Sequence, residues 1–567
     1  MRDLAGALLI ALGFVLLAAP GPGGSTTAFA LSTFLLIGAN AALVVLLGRS
    51  SSSRTAPLRV DSSRGSTLAA AACATAGALL LFVAARTWIG EILAYPNDPY
   101  RADMMIVIRS GIRRVLQGRN PYTLYQIPWD ATLPYGPVLW APYIVPYLLR
   151  TDTRFISVLG MLVIPVACTL AATGLAAARR YVSAIALLVV VAAIAFSSEL
   201  RGFASIAHTP SYWPLLPLFA WLVARQRWRA AAVAAGLLIV ARSTMVALAP
   251  VLLIAIWHRH RRQLASSSLL LAGAAILPYL PFAIWDPQAL FYALYGSYQQ
   301  LMKGFVWQHT TWAHQTIGIT GLLLRAGLER LAEPLQAAAT IAVVAASWRS
   351  IARGADPLAW MAASLLAFSA TALWPVHYIY FDVLLLWTAA LLVRAPWPIG
   401  SSVWQPWLVS LAAAMAIVVG VSGIALARDP VIDVGTGADR ALLYRGFSSN
   451  EGSERTFAWI EGREARILVV RRSRADAALD IDCEPFSPTA ESTQAMSVTL
   501  NGALLGTVTL RPGWQRVTLE APSNAWVVGV NELTLSLSDA RSPKGAGTGT
   551  DERELSAAID RLAIRTK

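Results

Sequence analysis

Polar, charged and aromatic residues gather in one stretch, 91–153, of an otherwise apolar chain. Asp98 and Asp103 lie near its start, and Gly-Arg-Asn-Pro-Tyr at 118–122 and Leu-Pro-Tyr-Gly-Pro at 133–137 follow. A carboxylate that is partly buried has a raised pKa and can accept the proton of an attacking hydroxyl. This stretch therefore has the residue types that general-base chemistry needs, and Asp103 is the first candidate for the base.

The residues between Asp103 and Gly118 predict an amphipathic helix that lies along a membrane surface. The apolar residues at helical spacing are Met104, Met105, Ile108, Ile112, Val115 and Leu116, with Arg109, Arg113 and Arg114 elsewhere. Asp103 then stands at the start of the helix, directed toward whatever cavity lies beneath. The competing interpretation is that Asp103 only caps the helix, where a carboxylate satisfies free N–H groups; one residue could do both.

The composition indicates a multi-pass membrane protein. Of 567 residues, 56% are hydrophobic and only 14% are charged, against roughly a quarter in soluble proteins. The net charge of +14 lies in the hydrophobic part, because the first 429 residues hold 30 Lys/Arg and 14 Asp/Glu. These arginines form short clusters between apolar runs, which is the pattern that orients helices in a bilayer rather than one that binds nucleic acid.

The apolar runs predict about 11–13 transmembrane helices in residues 1–428, a re-entrant hairpin included. The runs lie near 4–20, 27–48, 67–90, 155–177, 182–198, 211–224, 264–285, 334–348, 357–374, 378–393 and 403–427. The first could be a signal peptide, but Asp3 and the close second run favour a retained helix. Placing the arginine-rich loops in the cytoplasm makes 91–153, 286–333 and everything after 428 extracytoplasmic.

The hairpin is predicted at 230–257, where about 28 apolar residues separate two arginine-rich ends. That length is too great for one helix and too small for two crossings, so a broken hairpin with Arg242 near its tip fits. An arginine there is costly unless it meets an anion or water. The alternative is that Arg242 lies in a cytoplasmic loop.

Residues 429–567 predict a separate extracytoplasmic domain, an all-β jelly-roll sandwich. Short alternating runs are separated by turn residues, and Asn501-Gly502 between two of them is a strong hairpin signal. The order of Asn-Gly, Gly513-Trp514-Gln515 and 529–533 resembles carbohydrate-binding modules. Trp459, Trp514 and Trp526 are core residues or a sugar-stacking platform, and the core is favoured.

Four segments of the helical part, in order, resemble the polyprenyl-phosphate-sugar-dependent glycosyltransferases of family 87, which have the GT-C superfold. The first is the acidic loop with its Asn-Pro-Tyr and Pro-Tyr-x-Pro motifs. Gly236–Thr244 resembles the family's hairpin, although Arg242 replaces the usual Lys and Ser243 the usual Pro. The segment at 313–318 resembles the family's Gly-Asn-Gln-Ser-Leu segment, with His314 where Asn is usual. The segment at 373–378 resembles its Ser-Pro-x-x-Trp-x-His-Tyr turn, with the Trp and Pro displaced.

The resemblance implies an inverting glycosyltransferase that moves one sugar from a polyprenyl phosphate donor to a hydroxyl of a glycan or glycolipid. Mannose is favoured, with arabinofuranose next. Asp103 would be the base; Asp98 is second, because its spacing to the Asn-Pro-Tyr motif is closer to the family's. The groups that would bind the donor phosphate are Arg242, Arg201, Lys303 and His377. The groups that would contact substrate are Tyr122, Tyr135, Trp312, His314, Gln315 and Tyr378.

No cofactor or metal is expected, because the histidines and carboxylates have no ligand spacing. Cys73, Cys168 and Cys483 are too scattered for a disulfide framework. Nucleic acid is excluded as a partner; the expected partners are the lipid-linked donor, the glycan acceptor and membrane lipids. The predicted location is a bacterial plasma membrane. Two other functions stay open: a transporter or flippase of lipid-linked sugars, and a non-catalytic glycan-binding scaffold.

Overall fold

A computed structural model of the protein describes residues 1–18, 26–48, 64–206, 208–309, 316–373, 376–395, 404–426, 431–487, 489 and 493–567, without the side chains of three of them, Arg64, His377 and Trp404. The chain forms two compact units. The first contains Met1–Trp88, Pro99–Ile144 and Ile156–Val419, and the second contains Ile89–Asp98, Val145–Phe155 and Gly420–Lys567.

The first unit is helical. Its α-helices, with the four that have residues in both units, are α1 Arg2–Ala18, α2 Thr26–Leu47, α3 Arg64–Ala94, α4 Pro99–Leu116, α5 Pro137–Trp140, α6 Ile144–Leu148, α7 Phe155–Ala177, α8 Tyr181–Ala195, α9 Ser198–Ile206, α10 Leu215–Ala224, α11 Trp228–Ala241, α12 Leu248–His260, α13 Leu264–Ile276, α14 Leu280–Trp285, α15 Pro287–Phe291, α16 Ser297–Gly304, α17 Gly318–Arg325, α18 Ala332–Ala352, α19 Pro357–Ala370, α20 His377–Leu392 and α21 Trp404–Ala425. α7 and α20 are buried along most of their length, whereas α13 and α18 have few buried residues.

Six helical stretches among the described residues are long and apolar enough to cross a membrane, and a seventh results if the bent pair α8 and α9 counts as one. The multi-pass class is thus confirmed, but the predicted count of 11–13 is higher. The difference arises because several apolar runs fold as helices of 10–17 residues, α11, α19 and most of α20 among them. Such helices are shorter than the roughly 20 residues that a bilayer requires.

The predicted hairpin forms, and the chain breaks at Arg242. α11 ends at Ala241, Arg242 is extended with φ −150° and ψ 124°, and α12 follows a short 3₁₀ turn. α11 and α13 run side by side in the same direction: Arg229 bonds to Ser266 at one end, and the Val240 carbonyl accepts a bond from Tyr279 at the other. The intervening α12 must therefore run back, which puts Arg242 at the turn.

The predicted surface helix is α4, and it starts earlier than expected. It begins at Pro99, and Ala102 interrupts it with non-helical φ −135° and ψ 46°. Asp103 comes directly after this kink. Gly118 ends the helix with φ +68°, a conformation that glycine adopts at little cost. Asn120 then forms a turn, because its side-chain oxygen accepts the Tyr122 N–H at 3.0 Å.

The second unit is built on an antiparallel β-sandwich. One sheet has the strand order β10 Ala503–Leu510, β9 Gln494–Leu500, β12 Gly529–Leu537, β7 Glu464–Arg471 and β4 Leu443–Arg445; the other has β11 Gln515–Ala521, β8 Ala477–Pro485, β13 Leu555–Thr566, β6 Phe457–Glu461 and β5 Phe447–Glu451, with β3 Val431–Asp433 paired to β13. (β1 Tyr125–Gln126 and β2 Asp130–Ala131 form a small hairpin of the first unit.) Alternate residues from both sheets fill the core.

The predicted hairpin of the C-terminal sandwich is confirmed, but the predicted burial of its tryptophans is confirmed only for one of the three. Asn501 and Gly502 have φ 52° and 82° and join β9 to β10, as a type I′ hairpin turn requires. Trp526 is fully buried in the core. Trp459 and Trp514 are instead half-buried and lie outside that core.

The first and last parts of the 91–153 stretch belong to the second unit. The 150–152 segment bridges Val528 in parallel, and the Asp152 N–H donates to the Val528 carbonyl at 2.9 Å. The buried Asp152 and Arg154 form an ion pair at 2.7 Å, and Arg154 also donates to the Tyr95 carbonyl. The composition break near residue 429 gave no indication of these contributions.

Candidate functional site

The Arg242 side chain is held at the hairpin turn by an acid that lies within an apolar helix. The Nη1 atom of Arg242 is 3.5 Å from a carboxylate oxygen of Asp382 in α20. The Arg242 side chain is only 10% exposed, and the Asp382 side chain is fully buried. The Tyr212 hydroxyl donates to this carboxylate at 2.8 Å, and Trp213 Nε1 donates at 2.9 Å. Asp382 is thus fully supplied with donors, and Arg242 has a fixed position.

The guanidinium of Arg242 also faces an aromatic ring. Its Cζ atom lies 5.0 Å from the centre of the Tyr378 ring, a distance at which a cation and a π-system attract each other. Tyr378 in turn stacks on Phe203 with the ring centres 5.6 Å apart and the planes 15° apart. The partial exposure of Arg242 and Tyr378, unlike the full burial of Asp382, leaves them accessible to a ligand.

Asp103 is near the same group. Its charge acts on the hydroxyls of Tyr135 and Tyr378, and the charge of Arg242 acts on both of them too. One Asp103 oxygen accepts the Met104 N–H at 2.7 Å, which is the capping contact expected at a helix start. Burial raises the pKa of Asp103 above its usual value, although the Met104 bond opposes the shift. The carboxylate therefore combines a structural contact with the raised pKa that suits a base.

The Pro-Tyr-Gly-Pro motif positions Tyr135 against the hairpin. A Cβ atom on Gly136 would come within 2.1 Å of the Val240 carbonyl oxygen and 2.4 Å of the Tyr279 hydroxyl. Only glycine allows the loop to approach the last turn of α11 so closely. Because Val240 is two residues before Arg242, this contact fixes the loop beside the hairpin turn. Burial raises the pKa of Tyr135 well above its ordinary value, and Tyr378 raises it further, so its hydroxyl stays protonated.

We name this group the Arg242 cluster. Its members share contacts or charge interactions around the hairpin turn: Asp103, Tyr135, His208, Tyr212, Arg242, Tyr298, Tyr378 and Asp382.

Four of these residues were missed by the sequence analysis: His208, Tyr212, Tyr298 and Asp382. Asp382 had a usable signal, because an acid inside an apolar run is costly unless it has a partner or a function. Tyr212 and His208 had none, since they lie in the segment between α9 and α10 and reach the hairpin only through the fold. Tyr298 lies in α16, within the predicted second external loop, and the charge of Arg242 acts on its hydroxyl.

Other predicted site residues lie in different surroundings. Tyr122 is buried, and its hydroxyl donates to the Tyr135 carbonyl at 3.0 Å, so it supports the loop. Arg201 is exposed on α9. Lys303 forms an exposed ion pair with Glu333 at 2.8 Å. Asp98 belongs to the second unit, where the Tyr444 hydroxyl donates to it at 2.8 Å.

The remaining predicted residues cannot be placed in the cluster. Trp312, His314 and Gln315 lie outside the described residues, and the side chain of His377 is likewise not described. Among the described residues, no three His, Cys, Asp or Glu side chains come together as metal ligands would.

The second unit has an aromatic strip of its own, formed by Phe457, Trp459, Phe486 and Trp514. Trp459 lies edge-on to Phe457 at 5.6 Å and to Phe486 at 6.0 Å. Arg455 covers the Trp514 ring, with Cζ 4.2 Å from the ring centre. A separate cavity of about 420 Å³ is lined by Arg445, Gly446, Phe447, Glu461, Arg463 and Glu464. Both features belong to the second unit and are not part of the Arg242 cluster.

No family model and no curated protein matches the sequence. Among solved structures, the C-terminal sandwich resembles carbohydrate-binding modules. A family 35 module from an environmental isolate is 17% identical over 22% of this chain and 89% of its own, with a TM-score of 0.15. The family 35 module of Cellvibrio japonicus Abf62 is 16% identical over 24% and 96%, with a TM-score of 0.15. The module CBM36, in complex with calcium and xylotriose, is 9% identical over 24% and 98%, with a TM-score of 0.16.

Proposed function

We propose that the protein is a membrane glycosyltransferase of the GT-C type that moves one sugar from a polyprenyl phosphate to a hydroxyl of a glycan or glycolipid. A mannosyl donor is favoured and an arabinofuranosyl donor is next, from the resemblance to family 87. The observation that carries the proposal is that one carboxylate, Asp103, and one cation, Arg242, act on the same two tyrosine hydroxyls although they are 139 positions apart in sequence.

Asp103 and Arg242 suit the two events of an inverting transfer, which are deprotonation of the acceptor hydroxyl and departure of the lipid phosphate. The acceptor hydroxyl gives its proton to the Asp103 carboxylate while its oxygen forms a bond to C1 of the sugar. The C1–O bond to the lipid phosphate breaks with its electron pair, and the polyprenyl phosphate leaves beside Arg242. Negative charge grows on the phosphate as the bond breaks, so a cation fixed in advance stabilises the transition state more than the ground state.

The partners of Arg242 explain why it can serve in this way. Asp382 and Tyr378 hold the guanidinium of Arg242 in place, so the arginine does not need to reorganise when an anion arrives. Preorganised charge of this kind is usually the largest single contribution to catalysis. Asp98 is less suitable as the base, because its carboxylate is already hydrogen-bonded to Tyr444.

Substitution of the base tests the proposal. In the purified full chain, Asp103→Asn should reduce sugar transfer from polyprenyl-phosphate mannose to a glycolipid extract by about 10²–10⁴-fold, while donor binding is retained. Asp130→Asn removes an exposed carboxylate of the same loop and is the matched control. Full transfer by Asp103→Asn would contradict the assignment. Movement of the lipid-linked sugar across a vesicle membrane without transfer would favour the transporter.

We propose glycan contact by the second unit as a further function. Trp459 and Trp514 are half-buried and outside the sandwich core, whereas the structural Trp526 is fully buried. Aromatic faces that are neither core nor fully exposed suit stacking against sugar rings. Trp514→Ala should weaken binding of the full chain to immobilised cell-envelope glycan, whereas Leu504→Ala, which removes an exposed apolar side chain, should not. Equal binding by both variants would exclude this surface.

A further inference from the structure

His208 is a buried histidine whose ring has no partner in the described part of the chain. The residue is 7% exposed, and neither Nδ1 nor Nε2 has a hydrogen-bond partner there. A buried donor or acceptor without a partner destabilises the fold, because it has given up its hydrogen bonds to water and gained none in return. Such groups are rare in folded proteins, and each needs an explanation, whether a bound water or a ligand.

The backbone at His208 is firmly anchored. The Tyr143 hydroxyl donates to the His208 carbonyl at 2.7 Å and also bonds to Ser157 at 2.8 Å. Two residues further on, the Pro210 carbonyl packs on Gly160 of α7, where a Cβ atom would come within 1.8 Å of it. The segment is thus fixed against α7. The unpartnered ring does not result from a loose loop.

The ring is also held in place within the Arg242 cluster. It packs on Tyr135 with the ring centres 4.4 Å apart and the planes at 41°. Burial lowers the pKa of His208 to about 3, and the charge of Arg242 lowers it further. The imidazole is therefore neutral near pH 7, and one nitrogen carries a hydrogen to donate while the other can accept.

We infer that His208 binds the phosphate group of the lipid-linked sugar donor. Its imidazole donates one hydrogen bond to a phosphate oxygen, and Arg242 balances the negative charge of that phosphate. This inference rests on the proposed function and adds a second phosphate-binding group to it. An anion fits this position better than a cation does, because the nearby Arg242 repels positive charge. A neutral imidazole can bind there without adding further charge next to the arginine.

The test uses His208→Phe, which keeps the ring on Tyr135 and removes both nitrogens. The probe is farnesyl phosphate, titrated calorimetrically into the full chain in detergent, with farnesol and inorganic phosphate in parallel. We expect His208→Phe to bind farnesyl phosphate about tenfold to a hundredfold more weakly. Its resistance to unfolding should be unchanged or higher, because an unpartnered buried polar group has gone. His260→Phe is the control, since that histidine is exposed at the far end of α12.

The outcomes are distinguishable. Unchanged affinity in His208→Phe, with affinity lost in Arg242→Gln, would overturn the inference and leave the proposed function in place. Loss of both affinity and stability in His208→Phe would also overturn it, because that pattern marks a structural residue. Failure of the wild-type chain to bind farnesyl phosphate would contradict the proposed function itself. Equal affinity for inorganic phosphate would support the anion site and assign it to free phosphate rather than a lipid headgroup.

Discussion

The ion pair between Arg242 and Asp382 allows a quantitative test of how the hairpin turn is held. Asp382→Asn keeps the size of the side chain and one carbonyl oxygen, so Tyr212 or Trp213 retains an acceptor. What it removes is the negative charge 3.5 Å from a guanidinium that is only 10% exposed. The substitution therefore leaves Arg242 as a buried cation without a counter-ion.

The size of the effect follows from burial. Removing one partner of a buried ion pair is destabilising by about 3–5 kcal/mol. The lower end applies, because Arg242 reaches some water and its contact with Tyr378 remains. A loss of about 3 kcal/mol lowers the folding equilibrium constant by roughly a hundredfold. Much of that loss should be recovered when the cation is removed too, in the double variant Arg242→Met with Asp382→Asn.

The assay is unfolding of the purified chain in mixed detergent and SDS micelles, followed by tryptophan fluorescence. The double variant should be more stable than the sum of the single losses predicts, by about 2 kcal/mol. The exposed pair Lys303 and Glu333 is the control, and the same cycle there should give about 1 kcal/mol or less. Additive losses at Arg242 and Asp382 would refute the reasoning. Sugar transfer should stay lost in the double variant, which separates folding from catalysis.

Two further predictions concern the cluster and the loop beside it. Because burial raises the pKa of Asp103 and a base must be deprotonated, transfer should be lost as pH falls, at a pH above that expected for an exposed aspartate; a pH profile of kcat/KM in which the acidic limb matches an exposed aspartate would contradict this. Gly136→Ala should displace the loop from the hairpin and reduce both transfer and thermal stability, since the Val240 carbonyl stands 2.1 Å from the new Cβ, whereas Gly38→Ala in α2 meets no atom within 4 Å and should be tolerated.

The sandwich was readable from the sequence because its signals are local. Alternating runs fix which side chains face the core, and Asn501-Gly502 fixes one register through a turn that needs positive φ at both positions. The contribution of 150–152 could not be read, because a parallel bridge to Val528 leaves no periodic pattern in either segment.

The sequence predicted correctly that the first 428 residues form membrane helices, but it did not predict how many of the helices are long enough to span. Apolar length alone does not distinguish a full span from two short helices joined by a break, and the bent pair α8 and α9 shows the difficulty. The break at Arg242 was predicted at the right residue, because a basic residue between apolar runs needs a special environment. The partner of that residue was not predicted, since Asp382 follows it by 140 positions.

The sequence by itself determined the membrane class, the sandwich, the helix that starts near Asp103 and the hairpin with Arg242 at its turn. Each depends on residues within about one helix or hairpin length, where spacing and composition act directly. Only the tertiary structure decided that Asp103, His208, Arg242 and Asp382 belong to one group, and that Asp98 belongs elsewhere. Charges and unpartnered nitrogens interact through space, and packing of distant helices sets those distances.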